Sequence, residues 1–439
     1  MKISKEDIVL WKNADKVLIL NRETGSWFVG EDQYNDIEKC LNGEITLEKA
    51  KDCKLVEKLI NENILFTDKG KSIIEKPYVD QLGLLILDTT NRCNLACKYC
   101  FVNATDSGVM MSLETALKAL RAVLDSSKCA DVLTIEFSGG EPLLRQDIIE
   151  ILMEIKKYND TNVFLVSNGT LWNKDFTYYQ QLLLYVDKLY FSIDSSMPAV
   201  HDDIRGVEGT FEAVSESIKR IKGSGYQEIY VNTVLSQFNY KETIAILNMA
   251  YGLGCKGITF LKLLDVTESS KKMGLVLNEE EYTYVLDQIY KWKIENNERT
   301  RNFIVKVVMP GKYLNMFRIH KINNLPKMAN VCFEFDPLRG CNAFRKSIVI
   351  TADGYVTGCT AFLGKESMYV GNVKQETMEA IMNKFGEFRR KIKDREKHIR
   401  EDLCQKCKAW GVCRGGCPAL SLNYDGIFEG REPFCALEE

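Results

Sequence analysis

Between residue 82 and about residue 297, short apolar runs alternate with amphipathic stretches, and this alternation restricts the fold more than any other feature. The runs are too continuous for a sheet with one face in water and are typical of parallel strands covered by helices. Six runs share this character: residues 83–88, 132–137, 162–167, 188–194, 228–235 and 257–264. The amphipathic stretches that follow them begin near Ser112, Arg145, Lys174, Thr210, Tyr240 and Asn278. The sequence therefore predicts an α/β fold, with a parallel sheet curved into a partial (β/α)6 barrel whose functional groups lie at the carboxyl ends of the strands.

The regions on either side of the alternation set the predicted domain boundaries. Residues 1–80 contain two short β-type segments, Lys16–Asn21 and 26–30, followed by helical patterns, and they predict a small winged-helix-like domain. The barrel is predicted over residues 81–300. There the regular alternation stops, and we expect a bridging region over residues 301–340.

The last predicted domain, residues 341–439, is rich in turns and cysteines. Apolar segments on both sides of Ala352-Asp353-Gly354 predict a β-hairpin. Residues 378–400 predict a charged helix whose apolar stripe consists of Ile381, Phe385, Phe388 and Ile392.

Composition excludes several classes of function. The chain has 45% hydrophobic and 27% charged residues and a net charge of −3, which disfavours a disordered chain or a basic nucleic-acid-binding protein. No apolar run follows a basic N-terminus and no stretch of about 18 apolar residues occurs, so we expect a cytoplasmic protein without a membrane partner. The anomaly is 15 cysteines against 3 histidines. In a reducing cytosol, clustered thiols favour metal binding or redox chemistry over disulfides.

The first cysteine cluster follows the first barrel strand, where Cys93, Cys97 and Cys100 have the spacing C-x3-C-x2-C. Three thiolates can bind three irons of a [4Fe–4S] cluster and leave the fourth iron open to a substrate or cofactor. A second motif, Gly139-Gly140-Glu141-Pro142, follows the second strand, and its glycines permit close approach of the backbone to a ligand.

Together these motifs resemble those of the radical S-adenosylmethionine (SAM) superfamily, whose cysteine loop carries an aromatic residue where Tyr99 stands here. The resemblance implies that the Gly-Gly-Glu-Pro segment binds the methionine amino group of SAM. It further implies that Ser192 contacts the ribose, supported by Asn168 or Asp194, and that Arg205 neutralises the methionine carboxylate. Alternatively, Asp194 and Arg205 form a structural loop pair. The implied cofactor-binding set is Tyr99, Gly139, Gly140, Glu141, Pro142, Asn168, Ser192, Asp194 and Arg205.

A second cysteine system closes the chain, with seven cysteines at Cys341, Cys359, Cys404, Cys407, Cys413, Cys417 and Cys435. The spacing resembles the SPASM domain, an extension of radical SAM enzymes that act largely on peptides and proteins, which usually carries two auxiliary [4Fe–4S] clusters. Two fully ligated clusters need eight thiolates, and Cys332 is the natural eighth, against the alternative of a buried free thiol. A zinc site at the C-x2-C pair is a further alternative, but it leaves the radical SAM motifs unexplained.

Family analogy also implies how these cysteines divide. One auxiliary cluster would be held by Cys332, Cys341, Cys359 and Cys417, and the other by Cys404, Cys407, Cys413 and Cys435. The cofactors implied are therefore three [4Fe–4S] clusters and SAM. Small core positions account for the remaining thiols, Cys40, Cys53, Cys129 and Cys255.

The N-terminal domain resembles the peptide-recognition element of enzymes that modify ribosomally made peptides, which binds a leader by adding a strand. The alternative for this domain is a packing or dimerisation module. We therefore expect a radical SAM oxidoreductase that matures a ribosomally made peptide (RiPP), installing a thioether or carbon–carbon crosslink. Its expected partners are a precursor peptide with a leader and a flavodoxin- or ferredoxin-type electron donor.

Two other functions compete with this expectation. An anaerobic sulfatase-maturing enzyme is disfavoured because its characteristic Asp is replaced by Thr360 after Cys359, and because that family generally lacks the N-terminal extension. A non-catalytic iron–sulfur electron-transfer protein is disfavoured by the complete cysteine and Gly-Gly-Glu-Pro motifs. The sequence assigns no general base.

Overall fold

A computed structural model describes residues 8–13, 16–21, 27–31, 38–39, 82–126, 129–264, 273–308, 331–333, 341–402, 404 and 415–432. The N-terminal strands are β1 (Ile8–Asn13), β2 (Lys16–Asn21) and β3 (Trp27–Glu31). The strands of the large sheet that lie before residue 300 are β4 (Leu82–Leu87), β5 (Cys129–Phe137), β6 (Thr161–Ser167), β7 (Lys188–Ser192), β8 (Ile229–Leu235) and β9 (Gly257–Lys262). Those that follow are β10 (Ile304–Val308), β11 (Val331–Phe333), β12 (Ser347–Ile350), β13 (Tyr355–Thr357) and β14 (Gly371–Asn372).

Parallel pairing joins β4 to β9 in chain order, which confirms the six predicted strands and the α/β class. Their apolar side chains are buried because helices cover one side of the sheet and the other side faces inward. Examples are Leu165 and Phe191, which are fully buried in neighbouring strands.

The sheet continues further than the sequence prediction. Within the predicted bridging region, β10 pairs in parallel with β9, and β11 pairs in parallel with β10. In β10 the buried residues Val305 and Val307 alternate with partly exposed ones. This pattern differs from the continuous apolar runs on which the strand prediction was based.

The carboxyl-terminal part of the chain joins the opposite side of the same sheet. β12 pairs in parallel with β4, and β13 and β14 follow by antiparallel pairing. The predicted hairpin is therefore confirmed as β12 and β13. Because β12 hydrogen-bonds to the first barrel strand, the cysteine-rich region is attached to the barrel through its backbone.

Helices cover the sheet between its strands. In chain order they are α1 (Leu113–Leu124), α2 (Ile148–Ile155), α3 (Phe176–Tyr179), α4 (Pro198–Arg205), α5 (Thr210–Gly223), α6 (Thr243–Gly252), α7 (Glu279–Glu295), α8 (Met378–Asp402) and α9 (Pro418–Asp425). Ser112 caps α1 by accepting the Thr115 N–H at 3.2 Å, and Asn278 and Glu281 form a capping box at α7. The predicted apolar stripe of α8 is buried. The sequence pattern did not predict α4.

At the N-terminus, β1, β2 and β3 form an antiparallel sheet in that order. Two of these strands match the predicted β-type segments, and β1 was not predicted. Of the helical patterns predicted between residues 34 and 71, the structure describes residues 38–39, which are helical, and the rest lies outside the described residues. The winged-helix-like interpretation therefore rests mainly on the strands. No helix in the described parts of the chain is both long and apolar enough to cross a membrane.

Core packing predicts a large difference between two leucines that lie five residues apart. Leu189 is fully buried in β7, whereas the side chain of Leu184 is 77% exposed. We expect Leu189→Ala to lower the free energy of unfolding by about 2–5 kcal/mol through lost burial and a residual cavity. The matched control Leu184→Ala is expected to change it by less than about 0.5 kcal/mol. Urea denaturation checks both values, and equal losses would contradict this description of the core.

Candidate functional site

A cavity of about 370 Å³ lies at the carboxyl ends of the parallel strands. Each of the strands from β4 to β10 contributes to its wall, so the sheet must curve around it. Representative wall residues are Ile86 from β4, Val166 from β6 and Val308 from β10. Thr360, from the carboxyl-terminal region, also lines the cavity, which therefore has walls from both predicted cysteine domains.

All three thiols of the first cysteine cluster line this cavity. Their loop is held against the end of α4, where the backbone carbonyls have no partner within the helix. Ala96 N donates to Arg205 O at 3.1 Å, and Lys98 N donates to Ile204 O at 3.0 Å. Cys93 N also donates to Thr105 O at 2.8 Å. The unpredicted helix α4 thus fixes the position of the cysteine loop.

The glycines of the Gly-Gly-Glu-Pro motif pack against the same loop. Gly140 N donates to Thr90 O, and Glu141 N donates to Arg92 O, both at 2.8 Å. A Cβ on Gly140 would overlap the Arg92 carbonyl oxygen, and Gly139 has a φ of +105°. The close approach that requires glycine is therefore to the backbone of the cysteine loop. Both glycines also line the cavity.

Glu141 itself is fully buried and its carboxylate joins the ends of two strands. It accepts hydrogen bonds from Leu143 N at 3.1 Å, Ser167 Oγ at 3.0 Å and Asn168 N at 2.7 Å. Burial raises the pKa of the Glu141 carboxyl to about 7, although these three hydrogen bonds oppose the shift. Neither Glu141 nor Pro142 is among the described residues that line the cavity.

Asn168 lies beside the cysteine loop and lines the cavity. Its Nδ2 donates to Asn94 Oδ1 at 3.0 Å and approaches Cys93 Sγ at 3.9 Å. Its Oδ1 accepts from Thr170 Oγ1 at 2.7 Å. The amide therefore connects the end of β6 to the first cysteine of the triplet.

A buried ion pair connects the other end of the triplet to β7. Arg205 Nη2 lies 2.7 Å from Asp194 Oδ2, which also accepts the Tyr99 hydroxyl. Arg205 Nη1 donates to Cys97 Sγ at 3.7 Å, and its guanidinium lies 5.7 Å from the centre of the Tyr99 ring. The structural pair considered as an alternative is thus present. Arg205 still lines the cavity, whereas Asp194 lies behind it, and the role of Arg205 toward the SAM carboxylate stays a prediction.

The electrostatics of this pair are dominated by burial and by Asp194. Burial works against the charge on Arg205, but Asp194 outweighs it, so the pKa of Arg205 lies above its ordinary value. Burial raises the pKa of Cys97 above its ordinary value, while Arg205 opposes that rise. Burial likewise raises the pKa of Cys93 to about 12. Both thiols are therefore neutral at neutral pH without metal, and iron binding must displace their protons.

The donor set suits an iron–sulfur cluster. It consists of three soft thiols without histidine in one cavity, close enough that Cys97 and Cys100 each raise the pKa of Cys93. No three Cys, His, Asp or Glu side chains in the described ranges come close enough to share a single metal ion. That criterion applies to single ions, because in a cluster each thiolate binds a different iron.

Further polar residues that line the cavity and were not predicted as site residues include Glu136, Asn232 and Lys262. Asn232 lies beside the predicted ribose contact Ser192, because the two are paired in register between β7 and β8. Glu136 and Lys262 come from β5 and β9. A polar side chain within an otherwise apolar parallel strand could have identified these residues as site residues. Such a side chain needs a polar or open environment.

The carboxyl-terminal thiols that the structure describes also converge. Burial raises the pKa of Cys341 to about 12, and the neighbouring Cys417 and Cys359 add to this rise. Lys262 Nζ lies 3.6 Å from Glu432 Oε1, and Glu432 Oε2 accepts the Cys417 N–H at 3.0 Å. Burial disfavours the charge on Lys262, but Glu432 outweighs this effect and the pKa of Lys262 is raised.

The remaining cysteines differ in how much the structure describes. Cys404 and Cys255 are buried, and the half-buried Cys129 donates its thiol to Val123 O at 3.1 Å. Cys332 lies in β11, where the backbone alone is described. The predicted positions that lie outside the described residues are Cys40, Cys53, Cys407, Cys413 and Cys435.

Comparison with known proteins agrees with this geometry. The family model of the radical SAM superfamily matches residues 87–250, and that of the SPASM iron–sulfur cluster-binding domain matches residues 341–408. The chain therefore carries a radical SAM domain followed by a SPASM iron–sulfur domain. These domains imply [4Fe–4S] clusters and SAM as cofactors.

The individual relatives have low sequence identity to this chain. The chain is 27% identical over 357 residues to an AdoMet-dependent heme synthase of Oleidesulfovibrio alaskensis, covering 81% of this chain and 87% of that protein. It is 26% identical over 350 residues to the antilisterial bacteriocin subtilosin biosynthesis protein AlbA of Bacillus subtilis, covering 76% and 67%.

Two solved structures share the fold. SuiB of Streptococcus suis bound to S-adenosylmethionine has a TM-score of 0.63 at 17% identity and covers 100% of both chains. The structure of anSMEcpe with bound AdoMet has a TM-score of 0.61 at 22% identity, covering 81% of this chain and 90% of the other. The SuiB likeness thus includes the N-terminal region.

The packing of the glycine motif predicts a specific effect of a single methyl group. We expect Gly140→Ala to push the cysteine loop outward, lower the free energy of unfolding by about 1–3 kcal/mol and reduce the iron bound at the triplet. Gly223→Ala is the control, because a Cβ there meets no heavy atom within 4 Å. Iron content and urea denaturation check the pair, and full iron binding by Gly140→Ala would contradict the interpretation.

Proposed function

We propose that this protein is a radical SAM maturase that installs an oxidative modification, a thioether or carbon–carbon crosslink, in a ribosomally made peptide. The observation that carries the proposal is that the cysteine triplet and Thr360 line the same cavity. When bound, a reduced cluster and SAM supply a 5′-deoxyadenosyl radical that removes a hydrogen atom from an unreactive C–H bond. The chain must orient the substrate carbon and keep water away.

The residues of the cavity have distinct roles in this proposal. Cys93, Cys97 and Cys100 hold the cluster, and the Gly139 and Gly140 backbone borders the methionine end of SAM. Ser192 and Asn232 form a polar wall suited to the ribose hydroxyls, because they lie side by side on neighbouring strands.

Arg205 retains hydrogen-bond donor capacity for an anion. Its Nη groups are used by Asp194 and Cys97, but its buried Nε has no hydrogen-bond partner among the described residues. Since Arg205 lines the cavity, this N–H is suited to the SAM carboxylate. Glu141 then acts from behind by holding the strand ends in place, and Tyr99, which lines the cavity, holds the ion pair in place through Asp194.

Water exclusion follows from the apolar part of the wall. Leu95, Val102, Leu263 and Leu264 line the cavity together with the polar groups named above. A radical formed in such a site meets few competing donors. This composition supports hydrogen abstraction better than it supports a simple electron carrier.

The auxiliary sites belong to the same proposal. We assign one cluster to Cys332, Cys341, Cys359 and Cys417, of which the last three converge, and a second to Cys404, Cys407, Cys413 and Cys435. With the triplet this makes three [4Fe–4S] clusters. The domain limits proposed are 1–80, 81–300, 301–340 and 341–439, and the electron donor is a flavodoxin or ferredoxin.

A peptide substrate is supported by the N-terminal sheet and by two relatives. β1, β2 and β3 form a small antiparallel sheet whose edge can accept an extended leader. SuiB, whose structure has also been solved bound to its precursor peptide SuiA, covers 99% of this chain in that form. AlbA is named for bacteriocin biosynthesis.

Two other substrates have weaker support. The heme synthase relative makes a small-molecule substrate the second candidate. A sulfatase-maturing activity is disfavoured because Thr360, which stands where that family has Asp, faces the cavity without a titratable group.

The first test is cleavage of SAM. We expect Cys97→Ala to abolish formation of 5′-deoxyadenosine by the anaerobically reduced protein while most auxiliary iron stays bound. Cys129→Ala is the matched control, because Cys129 is remote from the cavity lining and should leave cleavage unchanged. Chromatography of the products and iron analysis check this, and wild-type cleavage by Cys97→Ala would overturn the assignment of the triplet.

A second test concerns the substrate. A short peptide encoded beside this gene, incubated with enzyme, reductant and SAM, is expected to lose about 2 Da, the mass of two hydrogens removed by chemistry that the cofactor drives. Mass spectrometry measures the loss, and the same peptide without its leader should react far more slowly. SAM cleavage with no peptide change, together with turnover of a porphyrin, would favour the second candidate.

A further inference from the structure

One charged pair lies between the cavity and the carboxyl-terminal thiols. Lys262 ends β9 and lines the cavity, and its Nζ lies 3.6 Å from Glu432 Oε1. Both side chains are largely buried, at 17% and 7% exposed. A buried lysine and a buried glutamate remain ionised only if they are close to one another, since each alone would lose its hydration.

Glu432 is held beside Cys417 by the local backbone. Its Oε2 accepts the Cys417 N–H at 3.0 Å, and its own N–H donates to Gly415 O at 3.0 Å. A Cβ on Gly416 would overlap the Glu432 carboxylate, and Gly416 has a φ of +72°. The Gly415-Gly416 step before Cys417 thus makes room for this carboxylate.

The distance between the Lys262 and Glu432 charges is long for an ion pair. Glu432 Oε1 is buried and has no hydrogen-bond partner among the described residues, and 3.6 Å from Lys262 Nζ is too long for a direct hydrogen bond. By contrast, the nearby buried cation Arg395 is fixed by the Phe428, Gly415 and Gly430 carbonyls. Among the described residues, Lys262 is therefore a cation that lies near these thiols and also lines the cavity.

We propose that Lys262 and Glu432 are positioning residues whose opposite charges set the reduction potential of the auxiliary site formed by Cys341, Cys359 and Cys417. This inference rests on the proposed function, because it requires an auxiliary cluster at those thiols. A positive charge near a cluster stabilises its reduced, more negative state, and a negative charge destabilises it. Because the surroundings are buried, these effects are weakly screened.

The test is a redox titration followed by electron paramagnetic resonance in the intact chain and in the Cys97→Ala background, where auxiliary iron alone remains. Lys262→Met is expected to lower one auxiliary midpoint potential, and Glu432→Gln is expected to raise it. The double variant should lie near the wild type. Glutamine keeps an acceptor for the Cys417 N–H, so the second change removes charge with little change of shape.

Three controls separate charge from structure. Lys262→Arg keeps the charge and should keep the potential. Lys256→Met removes a half-exposed lysine that lies 3.3 Å from Glu228 at the other end of β9, and it should shift nothing. The potential of the triplet cluster should shift less than the auxiliary potential in Lys262→Met and Glu432→Gln. Iron content and thermal unfolding are measured for every variant.

The outcomes distinguish this inference from the function on which it rests. Unchanged auxiliary potentials in variants with full iron would overturn the inference alone, as would shifts of the same sign for Lys262→Met and Glu432→Gln. An equal shift in Lys262→Arg and Lys262→Met would also overturn it, because size and not charge would then be responsible. A wild-type protein that binds iron only at the Cys93 triplet would overturn the auxiliary assignment itself.

Discussion

The candidate site depends most on the interactions of the buried Asp194 carboxylate. It accepts the Tyr99 hydroxyl, the Arg205 guanidinium and, through Oδ1, the Val234 N–H at 3.0 Å. A fully buried carboxylate is stable only when such partners surround it, so its presence requires the cysteine loop, α4 and β8 to meet at one point. The Asp194 N–H donates to His201 Nδ1 at 3.2 Å, and burial, aided by Arg205, lowers the pKa of His201 to about 4. The imidazole is therefore a neutral acceptor and adds no charge to the pair.

The two sides of the cysteine triplet are fixed by different means. On the Cys97 side the support is ionic, through Arg205, and on the Cys93 side it is steric and neutral, through Gly140 and the Asn168 amide. On the Cys97 side, the charge of Arg205 lies close to the Cys97 sulfur. On the Cys93 side, the packing of Gly140 sets the distance between the cysteine loop and the Gly-Gly-Glu-Pro segment. A loop with buried thiols can therefore keep one shape before metal arrives, although burial makes those thiols poor ligands until they lose their protons.

The sequence predicted the barrel strands because their burial on both faces requires continuous apolar runs. It missed β10, in which buried positions alternate with partly exposed ones as in a strand near the sheet edge, and α4, which is short and polar. The sequence also identified the cysteines and glycines by their spacing. Spacing along the chain, however, does not show which residues come into contact across the fold. The pairing of Ser192 with Asn232, and of Lys262 with Glu432, depends on strand register and on where the carboxyl-terminal chain returns.

That return has a physical cause in the sheet itself. β12 pairs with β4 directly before the cysteine loop, with Gly83 N and Leu84 N donating to Lys346 O at 2.9 and 3.0 Å. The first barrel strand therefore has β5 on one side and the cysteine-rich region on the other. Because these are backbone hydrogen bonds between parallel strands, they fix the direction of β12 as well as its position. β13 is antiparallel to β12, and Ser347 Oγ donates to Gly358 O at 2.6 Å, so this pairing holds the start of the segment that contains Cys359 and Thr360 beside the same sheet. The position of Thr360 at the cavity wall thus depends on this attachment of the carboxyl-terminal chain to the sheet and on the helical turn Thr360–Phe362 that follows β13.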